Sequence, residues 1–217
     1  MRLFSTGGSG VLGRALLPMA VDAGHTVIAP GHDELDLFDR GAVRRAVADA
    51  EAVLHLATRI RTLDKLDDPE AWRENDRLRA EASDVLVGVA LATTTTSVYV
   101  QPSVAFVYPR NGATDEDTPI DHVAPTLQSA LVAESRALAF TLSGRRGIAL
   151  RFGLLDGPGT GHDEPVSTLG ATLHVGDAAR ALLAALVLPA GTYNVCRDGE
   201  RVSNARIVAT GAWRPEL

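Results

Sequence analysis

Six short apolar runs, separated by longer stretches of helical periodicity, constrain this chain more than any other feature. The runs are 3–6, 26–29, 52–57, 97–100, 148–152 and 192–195. Each is apolar on both faces, as a strand buried between two layers must be. Between them lie 11–23, 41–49, 69–92, 126–143 and 177–188, with apolar residues at helical spacing. Leu12, Ala15, Leu16, Met19 and Ala20 form one such face. Strands alternating with helices predict an α/β fold, a doubly wound parallel sheet covered by helices on both sides. Pro18 lies inside the first helical stretch and is expected to kink it or shift its start.

Composition narrows the function classes. The chain has 217 residues, of which 46% are hydrophobic, too many for a disordered polymer and enough for one core. Its formal charge of −6 offers no basic surface to nucleic acid or to an anionic membrane. Cys196 is the only cysteine, so neither an internal disulfide nor a cysteine metal cluster can form, and no His/Cys/Asp spacing suggests a metal site. No apolar run approaches the ~20 residues of a membrane helix, and the apolar start at Leu3-Phe4 is too short for a signal peptide. A soluble cytoplasmic protein is expected. All but one of the 21 basic residues are arginine; the single lysine is Lys65.

Thr6-Gly7-Gly8-Ser9-Gly10-Val11-Leu12-Gly13 follows the first strand and opens the first helix. Glycines there let the backbone turn tightly and let a diphosphate approach the amides. The helix N-terminus adds partial positive charge. That context makes the turn a dinucleotide-binding element of the Rossmann type. At the end of the second strand, where NAD enzymes carry an acid for the ribose, the chain has Pro30-Gly31-His32, with Asp33 and Glu34 beyond. Arg14 could instead meet a 2′-phosphate, so NAD and NADP both stay open.

Several motifs in order resemble the extended short-chain dehydrogenase/reductases, the NAD-dependent epimerase/dehydratase group. They are Thr-Gly-x-x-Gly-x-x-Gly from Thr6 to Gly13, Leu35-Asp36-Leu37, His55-Leu56-Ala57, Asn75, and Ser103-Val104-Ala105-Phe106-Val107-Tyr108. Leu150-Arg151-Phe152-Gly153, Gly157-Pro158-Gly159 and His174-Val175-Gly176-Asp177 complete the set. The resemblance implies NAD or NADP as cofactor, held by Gly7, Ser9, Gly10, Val11, Leu12, Gly13 and Arg14. Asp36 and Leu37 would lie at the adenine, and Leu56, Ala57 and Thr58 beside the cofactor. It implies a dinucleotide-binding domain over 1–152. A substrate lobe over 153–217 would be interleaved with the last strand and helix of the core. It also implies a small, sugar-like or cyclic substrate and a homodimer, with 80–92 and 130–142 as pairing helices.

The chain departs from that family in two ways. The Tyr-x-x-x-Lys pair, in which lysine lowers the tyrosine pKa, is missing. Aligning Glu134 with the family's glutamate puts Thr126 and Ala130 at the tyrosine and lysine positions. The usual catalytic hydroxyl falls on Val104, with Ser103 one place away. The substrate lobe is also short, with few residues between Gly159 and His174 and few after Asn194. The chain is therefore an atypical, truncated member by this reading.

Ser103 and Tyr108 are the candidate catalytic residues, Tyr108 more often a packing residue than a substrate contact. Glu134 is a candidate base but more simply a solvated helix residue. His122 and His162 lie in the long loops 109–125 and 153–169, where binding segments are expected. Asp177 is expected to cap a helix. Arg59, Arg61 and Arg73 could hold an acidic substrate, though a solvated charged surface is the plainer reading. Two functions follow: an enzyme with a non-standard acid/base mechanism, or a non-catalytic NAD(P) sensor or scaffold.

Overall fold

The computed structural model describes residues 1–60, 65 and 68–217. Six parallel strands form the central sheet, in the spatial order β2-β1-β3-β4-β5-β8. They are β1 (Arg2–Thr6), β2 (Thr26–Ile28), β3 (Ala52–His55), β4 (Val98–Val104), β5 (Arg146–Phe152) and β8 (Gly191–Val195). The strand order reverses between β1 and β3, the switch point where ligands of open α/β sheets bind.

Helices α1 (Val11–Asp22) and α6 (Val175–Ala184) cover one face, burying Leu16, Ala20, Ala178 and Leu182 against Leu54, Val100 and Leu150. Helices α2 (Arg40–Val47), α4 (Ser83–Ala92) and α5 (Pro125–Ala139) cover the other. There Val43, Leu86 and Phe140 pack on Phe4, Val53 and Tyr99. The alternation of buried side chains along β3 and β4 sends Val53 and Tyr99 to one core and Leu54 and Val100 to the other. Pro18 leaves the assigned helix intact, and α1 begins at Val11.

The stretch 69–92 is not one helix. It divides into α3 (Pro69–Arg77), a π-helical turn (Leu78–Ala82) and α4. Side chains occupy the carbonyls of that turn. His55 Nε2 donates to Leu78 O at 2.9 Å, and the Ser83 hydroxyl bonds the carbonyls of Arg79 and Ala80. Such competition loosens the i→i+4 ladder, which helical periodicity does not report.

The C-terminal part contains a two-stranded parallel sheet, β6 (Leu154–Asp156) with β7 (Thr172–His174), and a short helix α7 (Ala205–Ala209). None of the three is evident from periodicity, because each is five residues or fewer. Arg197 holds Asp156 through two contacts of 2.5 and 2.9 Å and so ties this small sheet to the end of β8. His174, not Asp177, caps α6, its Nδ1 accepting from Gly176 N at 3.1 Å. Asp177 is fully buried instead, and its carboxylate accepts from the backbone of Glu216 and Leu217, pinning the chain end.

Candidate dinucleotide and substrate site

The glycine turn is built against β3. Gly7 has φ of +69°, and a Cβ there would lie 2.7 Å from Ala57 N. A Cβ on Gly13 would lie 2.4 Å from the carbonyl oxygens of both Gly7 and Gly8. The two glycines therefore let α1 start directly on the turn and let the turn press on the Leu56-Ala57 backbone. Ser9, Gly10, Arg14, Asp36 and Thr58 remain exposed around this edge, while Gly7, Val11, Leu12, Leu37 and Ala57 are half-buried. Arg14 Nη1 donates to Ser9 O at 2.6 Å, and its Nη2 lies 3.1 Å from where a Gly159 Cβ would stand. Arg14 thus links the glycine turn to the loop after β6. At the end of β2, Glu34 folds back so that its Oε2 accepts from Gly31 N at 2.7 Å.

Beneath the turn, His55 is completely buried and holds the two segments together. Its Nε2–H donates to Leu78 O, so the neutral ring accepts at Nδ1 from the Thr6 hydroxyl at 2.8 Å. Thr6 Oγ1 in turn accepts from Ala57 N at 3.1 Å. Desolvation dominates its ionisation and lowers its pKa to about 4, so the ring is neutral at pH 7.

A row of polar side chains lies at the carboxyl ends of the central strands. The register sets Ser103 of β4 beside Arg151 of β5, and Arg151 beside Asn194 of β8. Glu134 of α5 takes Arg151 through Nη2 at 2.7 Å and Nε at 3.0 Å. Arg151 Nη1 donates to the Tyr108 oxygen at 2.6 Å, and the Tyr108 hydroxyl donates to Asn194 Oδ1 at 2.8 Å. Burial holds the Tyr108 pKa above its ordinary value, opposed by Arg151. Asn194 N donates to Glu116 at 2.7 Å.

The candidates from sequence divide on this geometry. Ser103 lies at the mouth end of β4, almost wholly buried, with no hydrogen-bond partner for its hydroxyl among the described residues. Tyr108 is buried with its oxygen committed to Arg151 and Asn194. Glu134 is neither solvated nor free to act as a base, because Arg151 occupies both its oxygens. Thr126 and Ala130 face inward on α5 above Glu134, both buried. His122 is exposed. Arg59 and Arg73 pair with Glu74 and Glu70 at exposed positions, and Arg61 lies outside the described residues. Asn75 is fully buried and accepts from Arg59 N at 3.0 Å. Arg79, which sequence reasoning missed, is 3% exposed with Nε and Nη1 unpartnered among the described residues. Its place in a charged helical half disguises it as a surface residue. Among the described residues, no group of three or more His, Cys, Asp or Glu side chains is placed to hold a metal ion, and no helix is long and apolar enough to cross a membrane.

Residues 4–173 match the family model for the NAD dependent epimerase/dehydratase family. The chain belongs to that family. A relative from Streptomyces sp, named 3-diazoavenalumate denitrifying reductase, is 35% identical over 214 residues. The match spans 90% of this chain and 66% of that protein, just under two thirds of its length. A Thermus thermophilus UDP-glucose 4-epimerase solved with NAD superposes with a TM-score of 0.80 at 19% identity, covering 100% of this chain and 94% of that one. RMD from Pseudomonas aeruginosa, solved with NADPH, gives 0.81 at 21% identity, covering 100% and 95%.

NAD(P) is the cofactor of this family, and the residues present fit it. Side chains at Gly7 and Gly13 would collide with the Ala57 backbone and with the Gly7 and Gly8 carbonyls, so the close turn after β1, at the switch point, depends on both glycines. The glycine turn is retained, and on the alignment of Glu134 with the family's glutamate, Thr126 and Ala130 stand where the family carries its phenol and ammonium.

Proposed function

We propose that this chain is an NAD(P)H-dependent reductase of a small molecule whose acceptor atom needs no proton from a phenol–ammonium pair. The observation that carries the reading is the inward face of α5, where Thr126 and Ala130 stand above Glu134 beside an intact cofactor cradle. When bound, the cofactor supplies or accepts hydride. The protein's part is to bind, orient and exclude water. The amides of Ser9 and Val11 at the start of α1 would meet the diphosphate, Gly10 N being held by Gly7 O at 2.9 Å, and Arg14 would add a positive charge. Thr6, His55 and Ala57 hold the strand ends rigid beneath it.

Carbonyl reduction requires a proton at oxygen, and neither Thr126 nor Ala130 supplies one at neutral pH. A diazonium-type acceptor is different: hydride takes the place of the departing dinitrogen, and no proton is consumed. The Streptomyces relative, a reductase named for removing nitrogen from a diazo acid, favours that class of acceptor and favours a catalytic reading over a non-catalytic sensor. In this reading Ser103 contacts substrate, and Tyr108 with Arg151 and Glu134 forms framework. Leu91 and Val132, both over a third exposed on α4 and α5, support pairing of two copies through those helices; light scattering of the purified protein tests it.

The test of function is NADPH and NADH oxidation with a panel of aryl diazonium, enone and aldehyde compounds. Turnover of diazonium compounds with release of dinitrogen is expected. Cofactor binding with no turnover of any acceptor would favour the sensor.

A further inference from the structure

The buried side of the helix after β3 carries a charge that the framework does not use. Asn75 and Arg79 are one turn apart and both almost wholly buried. Asn75 Oδ1 is taken by Arg59 N, but its Nδ2 has no partner among the described residues. Arg79 Nε and Nη1 have none either. Buried donors are nearly always satisfied, and a buried cation without a partner is costly, so this group of free N–H bonds requires an explanation.

Its position supplies one. Asp76, next to Asn75, accepts from the Ser129 hydroxyl of α5 at 2.7 Å, which brings this helix against α5 just beside Ala130. Arg79 feels the charges of Asp76 and Glu134, and His55 feels the charge of Arg79. Arg79 therefore lies between the end of β3 and α5, on the side of α5 that carries Glu134. The π-helical turn that begins at Leu78 sets the direction of Arg79, and His55 fixes that turn in place. Single π turns of this kind are frequent at functional sites. Desolvation lowers the Arg79 pKa to about 10, which still leaves it charged at pH 7.

We propose that Arg79 is the fixed positive charge of the substrate site, supplied from the helix after β3 in place of the lysine that α5 lacks. Its free N–H groups, with Asn75 Nδ2 and the Ser103 hydroxyl, receive a carboxylate of the substrate. Three donor groups without an acceptor among the described residues select an anionic oxygen over a neutral amide. The assignment rests on the reading that substrate lies beside NAD(P) at this edge, so cofactor binding is measured separately in the same proteins.

The probes are benzoate and benzamide, titrated by calorimetry into the NADP⁺-saturated protein and into Arg79→Met and Arg79→Lys variants. Benzoate binding in preference to benzamide is expected. Arg79→Met should weaken benzoate by at least about tenfold, as loss of a charge-assisted contact does, with Arg79→Lys retaining part of it. NADP⁺ affinity should stay within about twofold, and the ligand-free Arg79→Met protein should melt no lower than the parent, because a desolvated guanidinium whose Nε and Nη1 have no hydrogen-bond acceptor among the described residues has been removed. Equal benzoate affinity in parent and Arg79→Met, or a fall in melting temperature showing that Arg79 serves the fold, overturns the assignment. If Arg79→Met does not fold, Arg79→Lys and the parent protein decide: no preference for benzoate over benzamide contradicts it. Loss of NADP⁺ binding by the parent would instead contradict the functional reading.

Discussion

Glu134 and Arg151 form a buried ion pair across the α5–β5 contact, their side chains 4% and 9% exposed and joined at 2.7 Å through Nη2. The pair locks the inward face of α5, with Thr126 and Ala130, over the carboxyl end of the sheet. Replacing Glu134 with Ala leaves a buried guanidinium uncompensated. That should cost about 3–5 kcal/mol, measured by urea unfolding, whereas a solvated helix glutamate would cost under about 1 kcal/mol.

Tyr108→Phe separates framework from catalysis. The change leaves Arg151 Nη1 and Asn194 Oδ1 short of a partner and should destabilise the fold by about 1–3 kcal/mol. NADPH affinity and turnover per folded molecule should be unchanged. A large fall in kcat without loss of stability would return Tyr108 to the reacting atoms.

Ser103→Ala should behave in the opposite way. The hydroxyl has no hydrogen-bond partner among the described residues, so its removal should change unfolding free energy by less than about 1 kcal/mol. Substrate KM should rise while NADPH affinity holds.

His55 gives the fold a pH dependence of known sign. Its folded pKa of about 4 lies below the unfolded value of 6.5, so the folded state binds fewer protons between these limits. The His55 contribution is present above pH 6.5 and is lost as pH falls toward 4. Urea midpoints measured across this window should fall with acidity, and His55→Gln should flatten that slope. An unchanged slope in the variant would assign the effect to other groups.

Much of this was legible in the sequence, for reasons that can be named. The glycine turn is local chemistry, so 6–13 could be placed across the end of β1 and the start of α1 by reading alone. The central strands are short and apolar on both faces, which is what burial between helix layers demands; β2, read the same way, lies at the sheet edge with Thr26 and Ile28 exposed. Missing Tyr and Lys are absences that counting detects. The polar row was not legible, because it joins Glu134, Arg151, Tyr108 and Asn194 from four separate segments that only the sheet register brings together. Glu134 and Arg79 sit in charged helical stretches that resemble solvated faces until their partners and burial are known. The π turn at 78–82 was hidden because His55, which bonds its first carbonyl, lies more than twenty residues away in sequence.

The most direct test of the central claim is calorimetric titration of NADPH and NADH into the parent protein and Gly13→Ala. The account predicts one binding site in the parent. It predicts at least about tenfold weaker binding, ~1.4 kcal/mol, in the variant, whose added Cβ meets the Gly7 and Gly8 carbonyls. No heat with either nucleotide, or equal affinity in both proteins, would contradict it.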